Sequence, residues 1–155
     1  MTNPLIRLAA WIGDWAGQGE VADGTEILFR MQVSSAAEEN AVCFHMESWI
    51  GEMQLLHGLR LILAPRPDRS LHCMGFSTRF GMVNLTPTPD DEDVLALAGP
   101  TTSGMQLSFS LIQQDADTLI ATGMARPQDA PPGFTAAGGT HGTLRRVTPW
   151  RPPGP

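Results

Sequence analysis

The sequence has no tyrosine, only two cysteines, and ten lysine and arginine residues among 155. Charged residues make up 17% of the chain, below the share of about 25% usual in soluble domains. Each shortage narrows what the chain can be. Few scattered cations and a net charge of -6 leave no basic face for nucleic acid or for an anionic membrane surface. Cys43 and Cys73 are too few for a disulfide scaffold, and both fall in apolar stretches, as free thiols of a reducing compartment do. No apolar run approaches the roughly 20 residues of a membrane-spanning helix, and the early run from Leu5 to Ile12 is broken by Arg7 with no basic leader before it. A cytoplasmic protein is expected. Phosphate-cradling glycine loops, a G-x-S-x-G elbow, closely spaced histidine pairs and a Cys–His signature are also missing, which removes support for phosphoryl transfer, covalent hydrolysis and a dedicated zinc site. A small molecule or a protein is left as partner.

Glycine and proline, at 16 and 13 residues, are abundant, which favours many short elements joined by turns. The first is a short helix: Asn3 can cap it, Pro4 suits its first position, Leu5, Leu8 and Ile12 repeat at helical spacing, and Gly13 can end it. From there the apolar period changes to two. Strands are predicted at Asp14–Val21, Glu26–Val33, Ala41–Ile50, Leu55–Ala64, Ser70–Arg79, Met82–Thr86, Val94–Gly99, Met105–Gln113, Thr118–Ala125 and Thr140–Thr148. Short turn-rich segments join them, the pattern of an antiparallel meander. The acidic run Asp90–Asp93 lacks the interleaved carbonyl-supplying loop of a calcium motif and reads as a solvated turn. Residues 1–149 form one domain and 150–155 a proline-rich tail. The expected fold is all-β, a roughly ten-stranded up-and-down antiparallel barrel with a short N-terminal helix. Closure hides the strand edges and leaves an interior for one small ligand, whereas a two-sheet sandwich would fill it.

Parity along the strands selects candidates for that interior. Phe29 and Met31, Phe44 and Met46, and Leu59 fall on apolar faces, and His57 shares the face of Leu55, Leu59, Leu61 and Leu63. The same count places His72 with Met74 and Phe76. Met124 joins this set as an adaptable thioether, and Arg145 as a neighbour on the face of His141. His45 falls opposite Phe44 and Met46 and is expected in solvent. Each histidine alone is more often a hydrogen-bonded core or rim residue than a functional one. His57 and His72 are the candidates for proton transfer if the barrel is a cofactor-free isomerase or cyclase.

The segment Leu8-Ala9-Ala10-Trp11-Ile12-Gly13-Asp14-Trp15-Ala16-Gly17-Gln18-Gly19, a helix followed by G-x-W-x-G-x-G, resembles the opening of the nitrobindin family. Leu56-His57 through Ala64-Pro65-Arg66-Pro67-Asp68 and Arg145-Arg146-Val147-Thr148-Pro149 resemble its middle and end. The resemblance implies a ten-stranded calycin barrel related to the lipocalins and fatty-acid-binding proteins. It also implies haem b in the cavity with chemistry toward nitric oxide or peroxynitrite. Asp23-Gly24-Thr25 stands where the family has Tyr-Pro-Thr, and Gly139 occupies the proximal haem-ligand position. His141, two residues on, is then the expected iron ligand. A hydrophobic small molecule is the expected ligand if haem is not, and barrels of this kind can pair as homodimers.

Overall fold

A computed structural model of the chain describes residues 4–36, 38, 40–51, 53–87, 93–131 and 139–147. The acidic run at 90–92, most of the break after Pro127, and the proline-rich tail lie outside them. A short helical segment, α1 (Pro4–Ala9), precedes ten strands: β1 (Gly13–Val21), β2 (Glu26–Ala36), β3 (Ala41–Ile50), β4 (Gln54–Pro65), β5 (Leu71–Ser77), β6 (Gly81–Pro87), β7 (Val94–Pro100), β8 (Met105–Asp115), β9 (Thr118–Pro127) and β10 (Thr140–Arg146). Each strand pairs antiparallel with its chain neighbour, and β1 pairs with β10, so the sheet closes on itself. The two-sheet sandwich is excluded.

Closure depends on glycine. A Cβ on Gly17 would lie 1.7 Å from the carbonyl oxygen of Thr143, and one on Gly19 2.0 Å from that of His141. Only a bare backbone lets β1 come this close to β10 at the seam. The same absence of side chains admits the Phe29 ring, which a Cβ on Gly19 or Gly142 would strike.

The end covered by α1 is solid. Leu5, Leu8, Trp11 and Trp15 pack there, with Val33, Val42, Leu61, Leu63, Cys73, Leu85, Leu95, Leu111, Leu119 and Leu144 all buried. Trp15 donates its indole N–H to the Trp11 carbonyl at 2.9 Å, and Trp11 donates to Gln113 Oε1 at 3.2 Å. Ile12, expected on the buried face of the helix, is exposed, because the chain turns after Ala9 and presents Trp11 inward instead.

β5 inverts the parity expected of it. Its register sets Leu71 opposite Pro65, Cys73 opposite Leu63, Gly75 opposite Leu61 and Ser77 opposite Leu59, so these smaller residues continue the inward leucine row of β4. His72, Met74 and Phe76 therefore face outward, with Met74 and Phe76 about half exposed. Space is the reason. A Cβ on Gly75 would come within 1.8 Å of the Arg60 carbonyl oxygen, so the wall is tight here, and the larger residues are accommodated outside beside Ile62 and Met82.

Candidate functional site

The half of the barrel away from α1 holds a cavity of about 250 Å³, slightly below the usual size of small-molecule pockets. Val21, Phe29, Met46, Leu59, Leu107, Phe109 and Ala121 give it an apolar wall. His57, Ser48, Arg79 and Thr140, with Glu47, Ser108 and Thr122, are its polar residues, and Phe80 closes one side.

His57 is held by a turn. At the end of β5 the chain reverses through Thr78, Arg79 and Phe80 to Gly81, whose φ of +79° suits glycine. Gly58 and Thr78 anchor this turn to β4: Thr78 N–H donates to the Gly58 carbonyl, and Gly58 N–H to Thr78 Oγ1, both at 2.9 Å. Ser77, completely buried, lies 2.6 Å from His57 Nε2 through its Oγ. Its oxygen also accepts from the backbone N–H of Arg79 at 3.2 Å and of Phe80 at 3.1 Å. The Phe80 ring meets the imidazole edge-on, with centroids 5.7 Å apart. Burial pushes the His57 pKa down to about 4, helped by the nearby Arg79 guanidinium, so the ring is neutral at physiological pH.

Of the residues expected to line the cavity, Phe29, Met46, His57 and Leu59 do so. Met31 and Phe44 are buried toward the α1 end, where Met31 pairs across strands with Trp15 and Phe44 with Leu61. Met124 borders the cavity but alternates outward and is about half exposed, since Ala121, Gly123 and Ala125 take the inward positions of β9. His72, Met74 and Phe76 lie on the outer wall, and the His72 ring pairs there with Arg66. Arg145 is also outside, donating to Thr118 Oγ1 at 3.4 Å.

His141 faces outward as well, because Gly142 and Leu144 are the buried positions of β10. Its cross-strand partners are Glu20 and Thr122, and it borders an adjoining depression of about 600 Å³ that shares Phe109, Thr122 and Thr140 with the cavity and is also lined by Ala96, Ala98 and Ser110. A face shared with Arg145 on β10 is a face turned away from the cavity. His45 is on the outer face of β3, as expected, 3.9 Å from Glu47.

Ser77 and Arg79, with Phe80, are site residues that the sequence reading did not name, as are Val21, Ser48, Leu107, Phe109, Ala121 and Thr140. The signal for the first three is local: a Gly-containing turn after a strand, Ser77-Thr78-Arg79-Phe80-Gly81, brings residues from both faces of the strand pattern to the rim. Among the described residues no group of three or more histidine, cysteine, aspartate or glutamate side chains could hold a metal ion.

No family model and no curated protein matches this sequence. Solved structures match by fold. The crystal structure of Rv2717c from M. tuberculosis aligns over 96% of this chain and 99% of its own, at 18% identity and a TM-score of 0.66. The structure of EF1p2_mFAP2b bound to DFHBI aligns over 94% of this chain and all of its own, at 12% identity and a TM-score of 0.50. At these identities the likeness is one of architecture, a closed β-barrel.

Proposed function

We propose that the protein binds a small, largely apolar molecule in the cavity between Phe29, Met46, Leu59, Phe109 and His57. The observation that carries this reading is the asymmetry of the barrel: one half is packed solid by large side chains, while the other leaves about 250 Å³ between apolar walls with a few polar atoms. A core serving stability alone would fill that space, since each unfilled methyl-sized void costs about 1 kcal/mol. EF1p2_mFAP2b, which has a similar fold, holds DFHBI, so the architecture is compatible with small-molecule binding.

The resemblance to nitrobindins extends the reading to haem b, and the side chains here do not fit that extension. His141 is on the outer wall, and His57, the one histidine of the cavity lining, has its Nε2 engaged with Ser77. A cofactor-free isomerase or cyclase would use the same cavity with His57 as its proton carrier, without His72. The binding reading is tested with N-phenyl-1-naphthylamine, a neutral fluorophore that brightens in apolar surroundings. Its emission should rise with the wild-type protein and stay unchanged with Ala121→Phe, which fills the cavity from β9. Equal emission with both would overturn the assignment to this cavity.

A further inference from the structure

The hydroxyl of Ser77 has one hydrogen to give and two lone pairs to receive. The N–H groups of Arg79 and Phe80 both point at its oxygen and occupy the acceptor positions, so the hydrogen goes to the remaining neighbour, His57 Nε2. A nitrogen that accepts carries no proton. In a neutral imidazole the proton then sits on Nδ1, and among the described residues no hydrogen bond is made to that atom. His57 therefore offers the cavity a donor. A second donor stands beside it: Arg79, exposed at the rim, lines the same cavity, its guanidinium 5.5 Å over the Phe80 ring and with no carboxylate partner among the described residues. The other charged residue of the lining, Glu47, alternates to the outer face of β3 beside His45.

We propose that the ligand carries an anionic oxygen at its His57 end, received by the Nδ1–H of His57 and the guanidinium of Arg79, and that Ser77 sets this polarity by fixing the imidazole tautomer. This rests on the cavity being the binding site. It specifies a carboxylate, phenolate, enolate or sulfonate on an apolar body, and it makes His57 a positioning donor rather than a base. An unpartnered donor at a partly desolvated site discriminates against ligands that cannot accept from it.

A matched pair of probes separates the two claims. 8-Anilino-1-naphthalenesulfonate and N-phenyl-1-naphthylamine share one apolar skeleton and differ in the sulfonate. The anionic probe should bind the wild-type protein at least tenfold more tightly. Arg79→Gln and His57→Leu should erase that preference with little change for the neutral probe, and Arg126→Gln, an exposed arginine outside the lining, should preserve it. Nitrogen-15 spectra of the imidazole should show the proton on Nδ1 in the wild type and redistribution toward Nε2 in Ser77→Ala, with a severalfold loss for the anionic probe. Equal affinity for the two probes, an equal effect of Arg126→Gln, or a wild-type proton on Nε2 overturns this inference and leaves the binding reading intact. Failure of both probes to bind defeats the binding reading and this inference with it.

Discussion

The guanidinium of Arg146 lies over the indole of Trp15, 4.4 Å from the ring centroid, and joins the last strand of the barrel to the first. Its donors fan out from there: Nε to Asp117 Oδ1 at 3.1 Å, Nη1 to the Ile12 carbonyl at 3.0 Å, and Nη2 to the carbonyls of Ala10 at 2.8 Å and Ala116 at 3.3 Å. One side chain thereby satisfies backbone acceptors on the segment leaving α1 and on the β8–β9 turn while it covers the solid end of the core. The exposed Asp117 adds little, but the carbonyl contacts and the cation over the ring do not depend on it. Arg146→Met should destabilise the fold by about 3 kcal/mol and lower the melting temperature by about 10 °C. Arg146→Lys should recover less than half of that, because an ammonium cannot fork to several acceptors at once. Urea unfolding of the three proteins measures both.

Gly17 and Gly24 separate two costs of adding a methyl group. Gly24, in the β1–β2 turn, has open space around it and a φ of +88°, so Gly24→Ala meets only backbone strain of about 1 kcal/mol. At Gly17 the new carbon would lie 1.7 Å from the Thr143 carbonyl oxygen, and neither backbone can yield without parting β1 from β10. Gly17→Ala should cost about 3 kcal/mol or more. Comparable urea midpoints for the two variants would refute the account of seam closure.

This contrast also shows which parts of the molecule were legible beforehand. Strand positions followed from period-two alternation, and the strands so predicted match those observed to within a few residues at their ends. Facing failed on β5 because parity ranks faces by apolarity, and a narrow wall reverses the ranking: Gly75 and Ser77 fit inside where Phe76 does not. The rim failed for a different reason. Arg79 and Phe80 reach the cavity through a turn, where alternation carries no information, and His141 was placed by resemblance although Gly142 and Leu144 hold the inward positions of its strand. His57 was found because it interrupts a leucine face; Leu59, Leu61 and Leu63 keep that face inside, while the register shift at Ser48/Trp49 leaves Leu55 exposed and brings Leu56 to the cavity.

The two thiols should differ sharply in reactivity. Cys73 is fully buried opposite Leu63 and Leu85, and burial pushes its pKa up to about 12, so it presents almost no thiolate. Cys43 alternates to the outer face of β3 and is partly exposed. Native protein should give one fast-reacting thiol with a disulfide reagent and the second only on unfolding in urea, and Cys43→Ser should abolish the fast phase. A fast phase persisting in Cys43→Ser would mean that the core around Leu63 opens readily.

His57 links the cavity to the pH dependence of stability. Its folded-state pKa, about 4, lies below the usual 6.5, so between those values the unfolded chain binds a proton that the folded protein refuses. Stability should therefore be unaffected by this group above pH 7, decline as the pH falls below 6.5, and stop declining once the folded form also protonates near pH 4. The shift converts to at most about 3 kcal/mol, less where solvent reaches the partly exposed ring. His57→Gln keeps a polar side chain facing Ser77 but cannot titrate, so its unfolding free energy should lose this component of the slope between pH 6.5 and 4.5. Parallel curves for the two proteins over that interval would place His57 in water rather than at the wall of a dry cavity.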